Sequence, residues 1–439
     1  MNAATKSPTN HLTNTNEHPP TRRRRGSLLS LFGTALLLSN TALAAESLTL
    51  EDAITQTITR NPDLHAFGYA MRAQDGRILQ AGLAPKPELN VEVEDVLGTG
   101  VARGLSGSQT TVSIVWVLES DLRQRRIDAA RMGSVALATD AQIMRLDAAA
   151  QTARLYTHAL ADQLRRDLAD SALQLAAENI AAIRQRVEAG LAMTSELAQA
   201  EAALAKRQLY REDFEHELIA DYHRLAAQWG DLTPQFERVV GDPLNLPVVE
   251  PYETLVTRIE QNPDLNHFLS ETRLQESLLQ LEQAQANSLW RFNAGLRRLQ
   301  HTSDTGFVAG VTIPLNRGNQ NQGRIAEARA HLEQTGALAE ATRIRIQTSL
   351  LVIYLELQHN LHRAETLRDE VIPRFESALA EIRRAYDLGS ASYLERLQVQ
   401  EELFDARSEL AETSVQAHLK LIEVERLTGA RLTQLPPSP

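Results

Sequence analysis

His359 and His362 lie one helical turn apart, with Glu356 and Glu365 on neighbouring turns, and a second pair, His216 and His223, lies two turns apart. Histidines at i and i+3 on one helix face can ligate zinc, but a catalytic zinc takes three protein ligands and a structural one takes four. The sequence sets no third ligand beside either pair. Both therefore read as histidines on the wet face of a helix, and His359 and His362 stand only as weak metal candidates. No nucleophile–histidine–acid order, glycine-rich phosphate loop or paired-carboxylate motif accompanies them. The chain has no cysteine, which removes disulfides, thiolate metal sites and a lipidated cysteine after a signal. Without a catalytic constellation the expectation is no enzyme and no cofactor.

Residues that do little chemistry must then act through the elements that place them. At the start, Arg22 to Arg25 form a basic stretch, SLLSLFGTALLL is a short apolar run, and Ala42-Leu43-Ala44 offers a small-x-small cleavage pattern. The run is short of the roughly 20 residues a spanning helix needs, so residues 1–44 read as a cleaved signal peptide. Its removal takes five basic residues and one acid, moving the net charge from −11 to about −15. So acidic a chain is a poor nucleic-acid binder. No later stretch is apolar enough for a transmembrane helix. An exported chain of this kind is periplasmic, secreted or an outer-membrane barrel.

RNPDLHAF at 60–67 and QNPDLNHF at 261–268 open two copies of one pattern. Asparagine suits an N-cap, proline the first helical turn, and an acid there meets the positive end of the helix dipole. After each NPDL a helix-period stretch gives way to alternation with period two, the mark of strands. Leu89, Val91 and Val93 alternate with polar residues, as do Trp290, Phe292 and Leu296; second strands follow in TTVSIVWVLE and GFVAGVTIPL. Helix period then returns over about 121–188 and 322–388, ending in IRQRVEAG at 183–190 and IRRAYDLG at 382–389. Gly190 and Gly389 sit where left-handed C-caps are expected. A further helix closes each half. The organisation is a first repeat at 45–232 (strands about 87–96 and 109–119), a linker at 233–251, and a second repeat at 252–430 (strands about 289–299 and 306–315). A tail at 431–439 follows.

The helical stretches carry narrow apolar seams, such as Leu160, Leu164, Leu168 and Leu175, in an alanine-rich background. Such helices pack as coiled-coil hairpins. The strands are long enough to cross a bilayer at a tilt. Four strands cannot close a barrel, and an open edge in lipid leaves backbone groups unpaired. Either the strands form a small soluble sheet or several chains share one barrel.

Four segments bear a family likeness: LTLEDAITQTITRNPDL at 48–64, QAGLAPKPEL at 80–89, VTIPLNRGNQNQGRIAEARA at 311–330, and VIPRFESALAEIRRAYDLGSASYLERLQVQEEL at 371–403. The chain resembles the outer-membrane efflux factors of the TolC family, and within them the CzcC-like cation-efflux branch. The resemblance implies a mainly α protein with a β-barrel part, a duplicated helix–strand–strand–long helix–helix unit. Four strands per chain would enter a shared trimeric twelve-stranded barrel in outer-membrane lipid. Long helical hairpins would form a periplasmic tunnel, and a periplasmic adaptor and an inner-membrane pump would dock below. The implied function is a passive exit duct, with metal cations as the leading cargo. Alternatives are drug efflux or type I secretion by the same fold, or a periplasmic coiled-coil adaptor.

By the same resemblance Tyr386, Glu395 and Glu196 belong to a periplasmic gate, and the hairpin tips at Gly190–Thr194 and Gly389–Ser390 meet the adaptor. Two departures stand out. Gln398 replaces the second gate acid, and Ala391 replaces the basic residue just past the tip glycine. A third is VLESDLRQRR at 117–126, where the branch has a glycine-containing turn.

Overall fold

The computed structural model describes residues 47–429 apart from 288, 316 and 317. The expected signal peptide and C-terminal tail lie outside the described residues. The first half runs β1 (Ser47–Leu48), α1 (Leu50–Arg60), α2 (Pro62–Ala81), β2 (Glu88–Glu94), β3 (Gln109–Leu118), α3 (Ser120–Glu188) and α4 (Thr194–Ala227). After β4 (Arg238–Val239), the second half runs α5 (Tyr252–Arg258), α6 (Pro263–Gln285), β5 (Trp290–Leu299) and β6 (Asp304–Thr312). It ends with α7 (Gln322–Thr366), α8 (Ile372–Asp387) and α9 (Tyr393–Thr428). The expected helix–strand–strand–long helix–helix order occurs twice.

The duplicated asparagine does more than start a helix. Asn61 Oδ1 accepts from the Asp63 and Leu64 amides at 2.9 and 3.1 Å, capping α2, while its Nδ2 donates to the Gln228 carbonyl at 2.7 Å. Asn262 Oδ1 accepts from the Asp264 amide at 2.6 Å, and its Nδ2 donates to the Leu427 carbonyl at 2.7 Å. Each repeat thus ties its opening helix to the end of its closing helix through one buried side chain.

α3 is a single helix of 69 residues, on the order of 100 Å long at 1.5 Å per residue. Its second-repeat counterpart is broken by a π turn at Leu367–Val371, just before Pro373. Proline lacks the N–H that a regular helix would donate to Asp369, and the wider turn absorbs the mismatch. At the corresponding place α3 carries Gln174 and needs no such turn.

The linker between the repeats is ordered as a belt, which the sequence did not suggest. β1 and β4 pair in parallel. The Gln163 amide holds both polar groups of Val239, accepting from its N–H at 2.8 Å and donating to its carbonyl at 3.0 Å. The buried Tyr156 phenol accepts from the Val240 amide at 2.9 Å, and His418 Nε2 lies 3.2 Å from the Pro243 carbonyl. A core of Tyr156, Leu160, Leu225, Trp229, Phe236 and Val239 sits beneath it.

Strands β2-β3-β5-β6 form one antiparallel sheet in that order. The central β3–β5 pairing joins the two repeats, with Ile114 opposite Ala294 and Trp116 opposite Phe292. One face is apolar and exposed: Leu89, Val91, Val112, Ile114, Leu296, Phe307 and Val311. Trp116, Phe292 and Trp290 cluster at its helix-proximal end, with ring centroids 6.2 and 6.4 Å apart. By register the other face bears Glu88, Asn90, Glu92, Glu94, Arg297 and Asp304. Arg297 pairs with Glu94 at 3.0 Å and donates to Thr111 Oγ1 at 2.9 Å. β2 and β6 are the edge strands, and among the described residues no strand pairs with their outer edges.

Candidate functional site

The two hairpin tips are built alike at their glycines. Gly190 and Gly389 have φ of +70° and +76°. The Gly190 amide donates to the Val187 carbonyl and the Leu191 amide to the Arg186 carbonyl; Gly389 and Ser390 repeat this with Tyr386 and Ala385. These paired reverse bonds are the Schellman arrangement, which satisfies the last carbonyls of the incoming helix. A Cβ on either glycine would meet nothing within 4 Å, so backbone conformation alone selects glycine. Leu191, Met193, Leu388 and Leu394 stand exposed at the tips.

The tips differ on their outgoing helices. α9 starts with a capping box: Ser392 Oγ accepts from the Glu395 amide at 3.2 Å, and the Glu395 carboxylate accepts from the Ser392 amide at 2.8 Å and its hydroxyl at 2.9 Å. These bonds, the backbone one first, hold the Glu395 carboxyl below its usual range. At the start of α4, Met193 offers no side-chain cap, and Glu196 stays half-buried. Thr194 and Gln398 are exposed.

Tyr386 turns inward and is 3% exposed. It packs with Tyr393, Ile183 and Ile180 in a small core between the hairpins. Two guanidiniums lie over its ring, Arg186 of α3 at 4.4 Å and Arg396 of α9 at 5.1 Å. Arg186 also donates to the Tyr386 carbonyl at 3.4 Å. Arg396, itself buried, donates to Asn179 Oδ1 on α3, and Asn179 Nδ2 donates to Gln400 Oε1 at 3.1 Å. Burial pushes the Tyr386 phenol up, opposed by Arg186, and burial with Arg383 nearby pushes Arg396 down. Arg186 Nε, Tyr386 Oη and Arg396 Nε are buried without hydrogen-bond partners.

A buried guanidinium is costly unless paired and fully hydrogen-bonded, and an aromatic face compensates only in part. The arrangement is thus a clasp between hairpins whose buried polar atoms are only partly satisfied. Sequence reading found Tyr386 but missed Arg186, Asn179 and Arg396. Nothing marks a coiled-coil arginine as buried until the opposite hairpin is in place.

The histidines do not gather ligands. His359 and His362 are exposed, Glu356 pairs with Lys420 at 2.9 Å, and His223 lies 2.8 Å from the Leu232 carbonyl. Among the described residues no group of three or more metal-ligating side chains occurs.

Set against known proteins, residues 53–231 and 256–430 match the family model described as outer membrane efflux protein. The chain belongs to that family. The two matched stretches correspond to the two repeats. It is 28% identical over 398 residues to the cobalt-zinc-cadmium resistance protein CzcC of Cupriavidus metallidurans, covering 90% of this chain and 94% of that one. It is 27% identical over 323 residues to the nickel-cobalt-cadmium resistance protein NccC of Alcaligenes xylosoxydans xylosoxydans, covering 71% and 73%. Among solved structures, the outer membrane protein VceC of Vibrio cholerae superimposes with a TM-score of 0.71 at 17% identity, covering 87% of this chain and 96% of that chain. CusC does so with 0.70 at 16%, covering 87% and 92%.

Proposed function

We propose that this protein is the passive outer-membrane duct of a tripartite efflux system, a homotrimer that releases metal cations delivered by an inner-membrane pump through a periplasmic adaptor. The observation that carries the reading is the sheet. It has one exposed apolar face with an aromatic cluster at its lower rim, one charged face, and two open edges. In lipid such edges must be paired, and an aromatic girdle marks the membrane boundary of outer-membrane barrels. Three copies joined β6 to β2 close twelve strands and turn Glu88, Glu92 and Glu94 toward the lumen. A second support is the apolar stripe on α7, where Ile344, Leu351, Val352 and Leu355 remain exposed in one protomer and suit a neighbouring copy. Metal cargo follows from the metal-resistance relatives.

Within this reading the exposed tip residues around Gly190, Thr194, Gly389 and Ser390 meet the adaptor. The gate combines the clasp of Arg186, Asn179, Tyr386 and Arg396 with entrance acids at Glu196 and Glu395 beside Gln398. The clasp does the holding that Ala391 cannot do, and Glu395 both caps α9 and adds negative charge at the mouth. Deleting the gene and measuring cellular cobalt, zinc and cadmium tests the cargo: accumulation should rise and fall again on complementation. Unchanged metal content with raised retention of an organic drug would contradict it. A folded monomer by mass measurement in detergent would contradict the shared barrel.

A further inference from the structure

The sheet register puts one charge on the apolar face. Val93, Thr110, Arg298 and Thr305 stand opposite one another across the four strands, and the row beneath them is Val91, Val112, Leu296 and Phe307. Among the described strand residues Arg298 is the only charged one on this face. It is exposed and has no ion pair among the described residues, whereas its neighbour Arg297 turns to the other face and holds Glu94. The acids at this end of the sheet are engaged elsewhere or point away. Asp95 accepts from the Gln109 side chain at 2.6 Å, and Asp304 lies on the same face as Arg297. One step beyond Arg298, the Gln300 amide donates to the Ser108 carbonyl at 3.0 Å, so the row above is polar and uncharged.

Height along the strand decides what such a charge meets. At about 3.4 Å per residue and a tilt of about 40°, the run from Trp290 to Arg298 on β5 climbs roughly 20 Å above the aromatic cluster. The apolar band of an outer-membrane barrel is about 25 Å tall. Arg298 therefore reaches the far boundary of that band, where a long side chain lifts its charge out of the hydrocarbon. A cation on the lipid face is costly at the midplane and nearly free at this level. With a hydroxyl on each side and no protein carboxylate to hold it, the guanidinium suits the oxygens of a phosphate, which its planar fork can bind in bidentate fashion.

We propose that Arg298, with Thr110 and Thr305 beside it, binds the phosphate of an anionic membrane lipid in the leaflet away from the helices, one site per protomer. The lipid's acyl chains lie on the row beneath, along Leu296 and Phe307. A soluble partner would leave those side chains facing water, whereas a lipid covers them and answers the charge together. That this face meets lipid rests on the shared-barrel reading; the selection of an anionic headgroup by Arg298 is the further step.

The test is native mass spectrometry of the full-length protein in detergent, titrated with phosphatidylglycerol or with phosphatidylcholine of the same acyl chains. The trimer should bind the anionic lipid about fivefold more tightly than the zwitterionic one. Arg298→Gln should make the two lipids equal, while Arg297→Gln, on the opposite face, should keep the preference. Inorganic phosphate in excess should not displace the bound lipid. A preference that survives Arg298→Gln or falls equally in Arg297→Gln would overturn the proposal, and so would displacement by phosphate alone. The same spectra weigh the protein: a trimer that binds both lipids equally overturns the lipid site and leaves the duct standing, whereas a folded monomer overturns the shared barrel and the site with it.

Discussion

Asp162→Asn should stabilise the protein at neutral pH and do nothing in acid. Asp162 on α3 and Asp221 on α4 are 4% and 6% exposed. Burial, with the Asp221 carboxylate facing it, pushes the Asp162 carboxyl up from 3.8 to about 6, against the pull of Arg165. Arg165 donates to Asp162 at 2.9 Å and also pairs with Glu412 on α9, while Arg224 pairs with Asp221. Unfolded, the carboxyl ionises near its ordinary value; folded, it keeps its proton to about pH 6. The native state therefore binds more protons across this window, and this stability contribution is lost as pH rises through it. Moving the carboxyl from 3.8 to about 6 corresponds to roughly 3 kcal/mol. Asparagine removes the charge yet keeps an acceptor for Arg165, so most of that cost should be relieved. Denaturant unfolding followed by circular dichroism should show the variant more stable by about 2 kcal/mol at pH 8. The gain should vanish near pH 4. A variant less stable at pH 8, or a difference independent of pH, would refute the reasoning.

Other substitutions test the elements one at a time. Asn262→Ala removes a helix cap and takes the side-chain donor from the partly buried Leu427 carbonyl, so it should cost about 2 kcal/mol in the same unfolding assay; a loss below about 1 kcal/mol would mean the tie between the opening and closing helices of the second repeat is idle. Gly389→Val forces a left-handed φ on a branched residue at an otherwise open site. Metal efflux should fall while the trimer still reaches the outer membrane, and failure to reach it would make the turn a folding element. Glu395→Gln with Glu196→Gln should reduce cation selectivity and block by multivalent cations from the periplasmic side in planar bilayers. Unchanged selectivity would place the filter elsewhere, with the barrel-lumen acids next in line.

Much of the architecture was legible because it is periodic and written twice. The switch from a 3.6-residue to a 2-residue repeat after each NPDL announces helix then strands, and the tip glycines announce the hairpin ends. Less regular features stayed hidden. The belt strands β1 and β4 are two residues each, too short for any period, and exist because Tyr156 and Gln163 hold them. The π turn at Leu367–Val371 shows in sequence only as Pro373. At the tips, Tyr386 was found by likeness, whereas Arg186, Asn179 and Arg396 form a clasp only when two segments about two hundred residues apart pack together. Glu395 was read as a gate acid, and its capping-box role follows from Ser392 three residues before it, a local pattern open to sequence reading but eclipsed by the resemblance.

The most direct test is conductance of the purified protein in planar bilayers, wild type beside Arg396→Ala. A duct held shut by the clasp should insert as a trimer and show a small, cation-selective conductance. Removing Arg396 should raise that conductance several-fold without changing the trimer's mass. A folded protein that never conducts, in either form, would contradict the shared barrel on which the account rests.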